Sequence, residues 1–360
     1  VDVTLLGTGA PAGFPEPGCP CASCARAAAD GPARAATSVL VDGSLLLDLI
    51  PGAVLAAARA GQSLHRVQQV LLTHPHDGPA VEFPAELPPP VRVPDGRELS
   101  LLSGHRVRAI ALDSPGTGYA VTGPDGQRLL YLPPGGAPAG LGDGGPRYDL
   151  CLLDVLGRPE ALARLRAAGA AGWDTDVVAV HLGHTVPPGA EQARRLGAAG
   201  ARAVPDGSTL WAGEPPEPPE LPRRTLLLGG PRAGQSLEAE RQLAAFPEVL
   251  CVVPETAAAD HHPPGWASTG AAGLLRLLAD DGPPLLVDSL PHWLAGAKPS
   301  AWDGPADPVA ELAAAIRHTS RMAVLVSEDR PELVRLNTAV AAECEQVLLV
   351  VAGTVLTLRG

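Results

Sequence analysis

The segment TLLLGGPRAGQSLEAERQLA, residues 225–244, sets a short apolar run against a glycine-rich turn and then a helix-patterned stretch. Residues 225–228 fit a buried strand, and residues 237–245 carry helix formers at an amphipathic spacing. Between them, Gly229, Gly230, Arg232, Gly234, Gln235 and Ser236 match the spacing G-x4-G-x-S of a phosphate loop. In such loops the glycines let backbone N–H groups turn toward phosphate, and the following helix N-terminus adds positive potential. The lysine that neutralises the phosphates during transfer is replaced here by Gln235, while Ser236 is placed to hold Mg²⁺. Arg232 carries charge within the loop at a different backbone position. The chain's only lysine is Lys298, far from the loop in sequence. A plain glycine-rich turn is the alternative reading.

The surroundings of that segment extend the pattern. Strand-like and helical stretches alternate over residues 225–352, with strands expected at 225–228, 249–253, 284–288, 322–327 and 346–352. Helices are expected at 237–245, 270–278, 308–319 and 331–343. This alternation predicts a parallel sheet with crossover helices. Asp288 closes the apolar run of LLVDSLPHWL, where an acidic partner for Mg²⁺ or a nucleotide would sit. Upstream, the proline-dense EPPEPPELPRR predicts an extended linker at 214–223, because proline at this density suits neither a helix nor a central strand.

With 360 residues, the chain has room for two cores, one on each side of that linker: domains at 1–213 and 224–360. A hydrophobic content of 46% argues against disorder, and 41 glycines with 40 prolines imply many turns. Acidic residues outnumber basic ones, 39 to 27, for a net charge of −12, which disfavours a nucleic-acid partner. No apolar run reaches the length of a membrane span, and the start VDVTLLGTGA lacks the basic and apolar regions of a secretory signal. A cytoplasmic, reducing setting is expected. Of the six cysteines, Cys151, Cys251 and Cys344 sit singly in apolar surroundings and read as small buried side chains.

The other three form GCPCASC, with Cys19, Cys21 and Cys24 spaced C-x-C-x2-C. Thiolates this close can converge on one tetrahedral ion and leave a fourth position for a distant residue. Two histidine pairs follow, each after a strand-like run: His74 and His76 in LLTHPHDGP, and His181 and His184 in VVAVHLGHTVP. Alternate residues on a strand share a face, so His74 and His76 can point at one centre. The plainer alternatives are a chance cysteine cluster and surface histidines at strand ends.

Together, LLGTGAPAGFPEPGCPCASCARA, LLTHPHDGP, LLYLPPGG and VVAVHLGHTV resemble the metallo-β-lactamase-fold hydrolases. The likeness is to the branch containing the cyclic-phosphate phosphodiesterase of phosphonate breakdown. The resemblance implies a structural zinc held by Cys19, Cys21, Cys24 and His184. It also implies a di-metal centre on T-H-x-H-x-D-H, which activates a bridging hydroxide. Thr73, His74 and His76 match that motif, but Gly78 and Pro79 replace its last two ligands. The family's bridging aspartate falls on Pro134 and a further histidine on Asp113. His74, His76 and His181 therefore remain as a vestigial second site.

The second half resembles the bifunctional adenosylcobinamide kinase/adenosylcobinamide-phosphate guanylyltransferases of cobalamin assembly, through GGPRAGQS, LLVDSLPHWL and the tail RLNTAVAAECEQVLLVVAGTVLTLRG. That resemblance implies Mg²⁺ with ATP or GTP, a cobinamide substrate, and a guanylylated histidine. The histidine falls in DHHPPGWAS, on His261 or His262. It also implies a homo-oligomer or pairing with a transferase subunit. At LVSEDRPELVRLN the family's glycine loop is missing, which joins the lost lysine as a second change in one site. The expected fold is α/β: an N-terminal αββα metallo-β-lactamase-like sandwich, then a P-loop NTPase-like parallel sheet with flanking helices. The expected function is a transferase of this family with phosphoryl and guanylyl transfer weakened or lost. A non-catalytic nucleotide-binding or regulatory relative and a metallo-β-lactamase-fold hydrolase are the alternatives.

Overall fold

The computed structural model describes residues 1–31, 33–74, 84–141, 145–214, 220–254, 265–297 and 307–360. His76, His261, His262 and Lys298 lie outside these residues, as do residues 215–219 of the proline-rich stretch. The chain divides into two compact units, Val1–Pro219 and Glu220–Gly360.

In the first unit the elements run β1 (Asp2–Gly7), α1 (Ala22–Asp30), β2 (Ser38–Val41), β3 (Leu45–Leu47), α2 (Ala53–Arg59) and β4 (Gln69–Leu71). After them come β5 (Glu98–Ser100), β6 (Arg106–Ile110), β7 (Gly118–Thr122), β8 (Arg128–Tyr131) and β9 (Leu150–Leu153). The unit closes with α3 (Pro159–Ala167), β10 (Asp176–Ala179), α4 (Ala190–Ala198) and β11 (Thr209–Trp211). One sheet has the order β11-β1-β2-β3-β4 and the other β10-β9-β8-β7-β6-β5.

The two sheets share one core. Leu5, Val39 and Leu47 from the first meet Tyr119, Tyr131 and Leu152 from the second. Because strand side chains alternate, Leu6, Leu40 and Leu46 face the other way, and there they pack on Ala53 and Ala57 of α2. Cys151 and Leu153 point away from the shared core yet are fully buried, so a further layer covers the second sheet as well. The helix α3 buries Leu162 and Leu165. These layers make an αββα sandwich.

The second unit has β12 (Arg224–Gly229), α5 (Gln235–Leu243), β13 (Leu250–Val253), β14 (Ala267–Gly270), α6 (Leu274–Ala279), β15 (Leu285–Asp288) and α7 (Leu290–Gly296). It continues with α8 (Pro308–His318), β16 (Ala323–Glu328), α9 (Val334–Glu343), β17 (Gln346–Val351) and β18 (Thr354–Arg359). Its sheet has the order β14-β13-β15-β16-β12-β17-β18, parallel except for the last pair. Both faces are covered, as parallel sheets require. Leu226, Leu285 and Leu325 pack with Leu278 of α6, Ile316 of α8 and Val340 of α9. On the opposite face Leu227, Leu286 and Val326 pack with Ala239 and Leu243 of α5. The same alternation puts Asp288 and Glu328, at the strand ends, on the face that α5 covers.

The final strand departs from the sequence-based expectation of a single closing strand at 346–352. A two-residue turn at Ala352 and Gly353, with φ of 48° and 77°, sends β18 back along β17. Among the described residues, no helix is long and apolar enough to cross a membrane.

Candidate functional site

The cysteine motif is organised by the start of α1. Cys21 is its N-cap, and its Sγ accepts the backbone N–H of Cys24 at 3.4 Å. That contact, led by the Cys24 N–H, holds the Cys21 thiol below its ordinary pKa, while burial pushes the Cys24 thiol up to about 11. The loop after β10 brings in the fourth residue. The Ala10 N–H bonds the Leu182 carbonyl at 3.1 Å, anchoring that loop beside the end of β1. His184 Nδ1 then lies 3.4 Å from both Cys19 Sγ and Cys24 Sγ. All four donor atoms fall within 4.8 Å of one another. Ligands of a tetrahedral zinc at ordinary bond lengths stand about 3.5–3.8 Å apart, so this soft sulfur–nitrogen set fits that ion in chemistry and in size. It is the single such set of His, Cys, Asp and Glu among the described residues.

Next to it lies a cavity of about 400 Å³, lined by Glu16, Pro134, Asp154, His181 and His184 among others. His74 and His181, the described histidines expected at a second metal site, are occupied in other ways. His181, with φ of 60°, donates from Nε2 to the Leu132 carbonyl at 2.9 Å, and burial lowers its pKa. The Thr73 hydroxyl donates to Asp48 at 2.7 Å, so it accepts from His74 Nδ1 at 2.8 Å. Asp48 also takes the Thr73 N–H at 2.8 Å and the Tyr131 hydroxyl at 2.7 Å.

Asp113, at the position where the resemblance would put a histidine ligand, is clamped by Arg158 and Arg164, each at 2.7 Å. Burial alone would raise its carboxyl, but the Arg164 bond, the Ala137 N–H and the two guanidinium charges hold it below the usual range. Asp154 accepts from the Gly157 N–H at 2.8 Å. Neither His74 nor His181 joins a convergent donor set among the described residues.

In the second unit, β12 ends at Gly229 and the chain turns through Arg232 (φ 60°) and Gly234 (φ 101°) into α5. Only glycine adopts the Gly234 conformation freely. A Cβ on Gly229 would come within 3.0–3.1 Å of the Val350 carbonyl oxygen, Ala233 Cβ and Gln235 Oε1, so a side chain there would require these neighbours to shift by a few tenths of an ångström. Gln235 is buried, and its Nε2 donates back to the Gly230 carbonyl at 3.2 Å. Ser236 follows in the first turn of α5, half-buried.

The neighbouring strand β16 is tied to this loop. The Asp329 N–H bonds the Gly229 carbonyl at 2.9 Å, and buried Ser327 donates to Asn337 at 2.6 Å. Glu328 pairs in register with Gly229, whereas Asp288 lies on β15, one strand further, about 10 Å across the sheet from β12.

Asp48, Asp154 and Glu16 were not singled out from sequence. Asp48 and Asp154 each close an apolar strand, the same signal that marks Asp288, and could have been found by it. Glu16 lies between two prolines in an exposed loop and carries no such signal.

No family model matches the sequence, and no curated protein matches it. Solved structures do. Zinc-bound PqqB from Methylobacterium extorquens is 19% identical over 59% of this chain and 100% of that one, with a TM-score of 0.42. A new diphosphatase from the PhnP family is 19% identical over 58% of this chain and 97% of that one, with a TM-score of 0.43. The P4 protein from bacteriophage phi6 in complex with ADP is 17% identical over 38% of this chain and 53% of that one, with a TM-score of 0.26.

Proposed function

We propose that this chain is a nucleotide-binding protein of the cobinamide kinase/guanylyltransferase type, with phosphoryl and guanylyl transfer weakened or lost, joined to a zinc-holding metallo-β-lactamase-like domain. The reading assigns residues 1–213 to that domain, 214–223 to a linker and 224–360 to the nucleotide domain. The carrying observation is the buried Gln235 amide turned onto Gly230 in a strand–loop–helix setting. Gly229, Gly230, Arg232, Gly234, Gln235 and Ser236 bound the phosphate site, and α5 supplies its N-terminal potential. A neutral amide bonded to its own loop supplies no charge to a transferring phosphoryl group. Asp288 is assigned to Mg²⁺, and His261 or His262 to guanylyl acceptance.

In the first unit, Cys19, Cys21, Cys24 and His184 hold a structural zinc. Hydrolysis at a di-metal centre is disfavoured by the Asp113–arginine clamp and by the His181 bond to Leu132.

Calorimetry of the full chain with ATP and GTP, with and without Mg²⁺, tests the nucleotide reading, and absence of binding to either would sink it. Incubation with α-labelled GTP separates the two forms of the proposal. A covalent adduct lost on His261→Ala or His262→Ala marks residual transfer, and binding without an adduct marks a non-catalytic binder.

A further inference from the structure

The environment of His184 contains one donor that the four-residue set does not use. Glu16 Oε2 lies 3.2 Å from His184 Nδ1, the same nitrogen that faces Cys19 and Cys24. A carboxylate that merely orients a ligating imidazole bonds the ring nitrogen remote from the metal. Glu16 is on the ligating nitrogen itself. Two N/O ligands of one tetrahedral ion, each bound at about 2.0–2.1 Å, stand about 3.3 Å apart. The Glu16–His184 separation suits two donors to one ion as well as an ion pair, while Glu16 stands outside the four atoms that already lie within 4.8 Å of one another.

The backbone fixes the carboxylate's origin. The Glu16 N–H reaches Cys24 Sγ at 3.4 Å, and the Glu16 carbonyl accepts the Cys19 N–H at 3.1 Å. Glu16 is thus held by two of the cysteine ligands, whereas His184 arrives from a loop 160 residues beyond Cys24. Glu16 and His184 both line the cavity of about 400 Å³, so space adjoins the edge of the site where they meet.

The geometry points to Glu16 as an alternative oxygen donor to the zinc at Cys19, Cys21 and Cys24, able to take the place of His184. In the exchange His184 Nδ1 leaves and one Glu16 carboxylate oxygen enters, so the ion keeps four donors and no electrons move. This inference rests on the zinc reading of the cysteine cluster.

The test is metal affinity of the full chain, read with Co²⁺ by its thiolate charge-transfer and ligand-field bands and with Zn²⁺ by chelator competition. Wild type should bind about one ion per chain. His184→Ala should keep the ion with an affinity loss of about tenfold, whereas His184→Ala combined with Glu16→Gln should lose about a hundredfold or more. Should the alanine variant fail to fold, His184→Gln replaces it with the same expected contrast. Equal losses in the single and double variants overturn the inference and leave the zinc reading standing. A wild-type chain that binds neither ion overturns both.

Discussion

Gln235 donates its side-chain amide to the carbonyl oxygen of Gly230, 3.2 Å away, so the glycine-rich loop between β12 and α5 is bonded to itself. Replacing Gln235 by lysine removes that bond and adds a charge at the position phosphate loops normally use. A hydrogen bond to a charged group contributes about 1.5–3 kcal/mol, so Gln235→Lys should tighten nucleotide binding by about 10- to 100-fold. Calorimetry with Mg²⁺-ATP checks this, and unchanged affinity would count against a loop that lost only its charge.

Cys21 serves two roles, as a candidate zinc ligand and as the N-cap of α1. Cys21→Ser keeps a capping oxygen but removes the sulfur, so helix capping should survive while the ion is lost. Elemental analysis should fall from about one zinc per chain to nearly none. Full zinc retention in the serine variant would remove Cys21 from the ligand set.

Asp48 is 3% exposed and accepts three hydrogen bonds, two from Thr73 and one from Tyr131. Asp48→Ala strands buried donors from both sheets and should cost about 3 kcal/mol or more in denaturant unfolding. Tyr131→Phe removes one donor and should cost about 1 kcal/mol. If both changes cost the same, Asp48 does not join the sheets as described.

His105 Nε2 meets Asp42 at 2.7 Å, across the two sheets. Burial pushes the Asp42 carboxyl up, but the His105 contact and the Asp2 N–H outweigh it, and its pKa lies below the ordinary value. A depressed carboxyl contributes stability that is present above the unfolded value, about 4, and is lost as pH falls through the folded one. Because Asp42 is 30% exposed, the contribution should be below about 1 kcal/mol. Stability measured from pH 6 down to pH 2 should fall less steeply in Asp42→Asn; an identical slope refutes the coupling.

Ala352 holds φ of 48°, a left-handed conformation that costs an alanine about 1 kcal/mol. Ala352→Asn or Ala352→Gly should recover about 0.5–1 kcal/mol at this turn. Thermal unfolding that is unchanged or worsened would contradict this.

That turn also marks where the sequence was hard to read. Short hairpins announce themselves through Asn-Gly or Asp-Gly, and Ala-Gly lacks that signature, so β18 merged into the strand before it. β18 is also mostly exposed and shows no alternation of buried and open positions. Helix α1 was missed for a related reason, since its run of small residues, ASCARAAAD, lacks the large apolar side chains that mark a core-facing helix. By contrast, the strand expected at 284–288 and the helix expected at 308–319 combine apolar residues with clear boundaries, and they were legible. The layered α/β architecture followed from them. In the site, cysteine spacing was legible because the three residues are neighbours. The Gln235 contact was not, because a side chain folding onto its own loop leaves no mark on spacing.

Cys19 and His184 are 165 residues apart in the chain yet 3.4 Å apart in space. An ion bound between them would behave as a removable crosslink spanning most of the first unit. Closing so long a segment restricts the unfolded chain by about as much as a long-loop disulfide, in the range of 4–5 kcal/mol before native strain is counted. Unlike a disulfide, that constraint would open when a chelator arrives and would need no oxidant to close again. The supply of metal would then set how strongly its N-terminal loop is fastened to the last third of the sandwich.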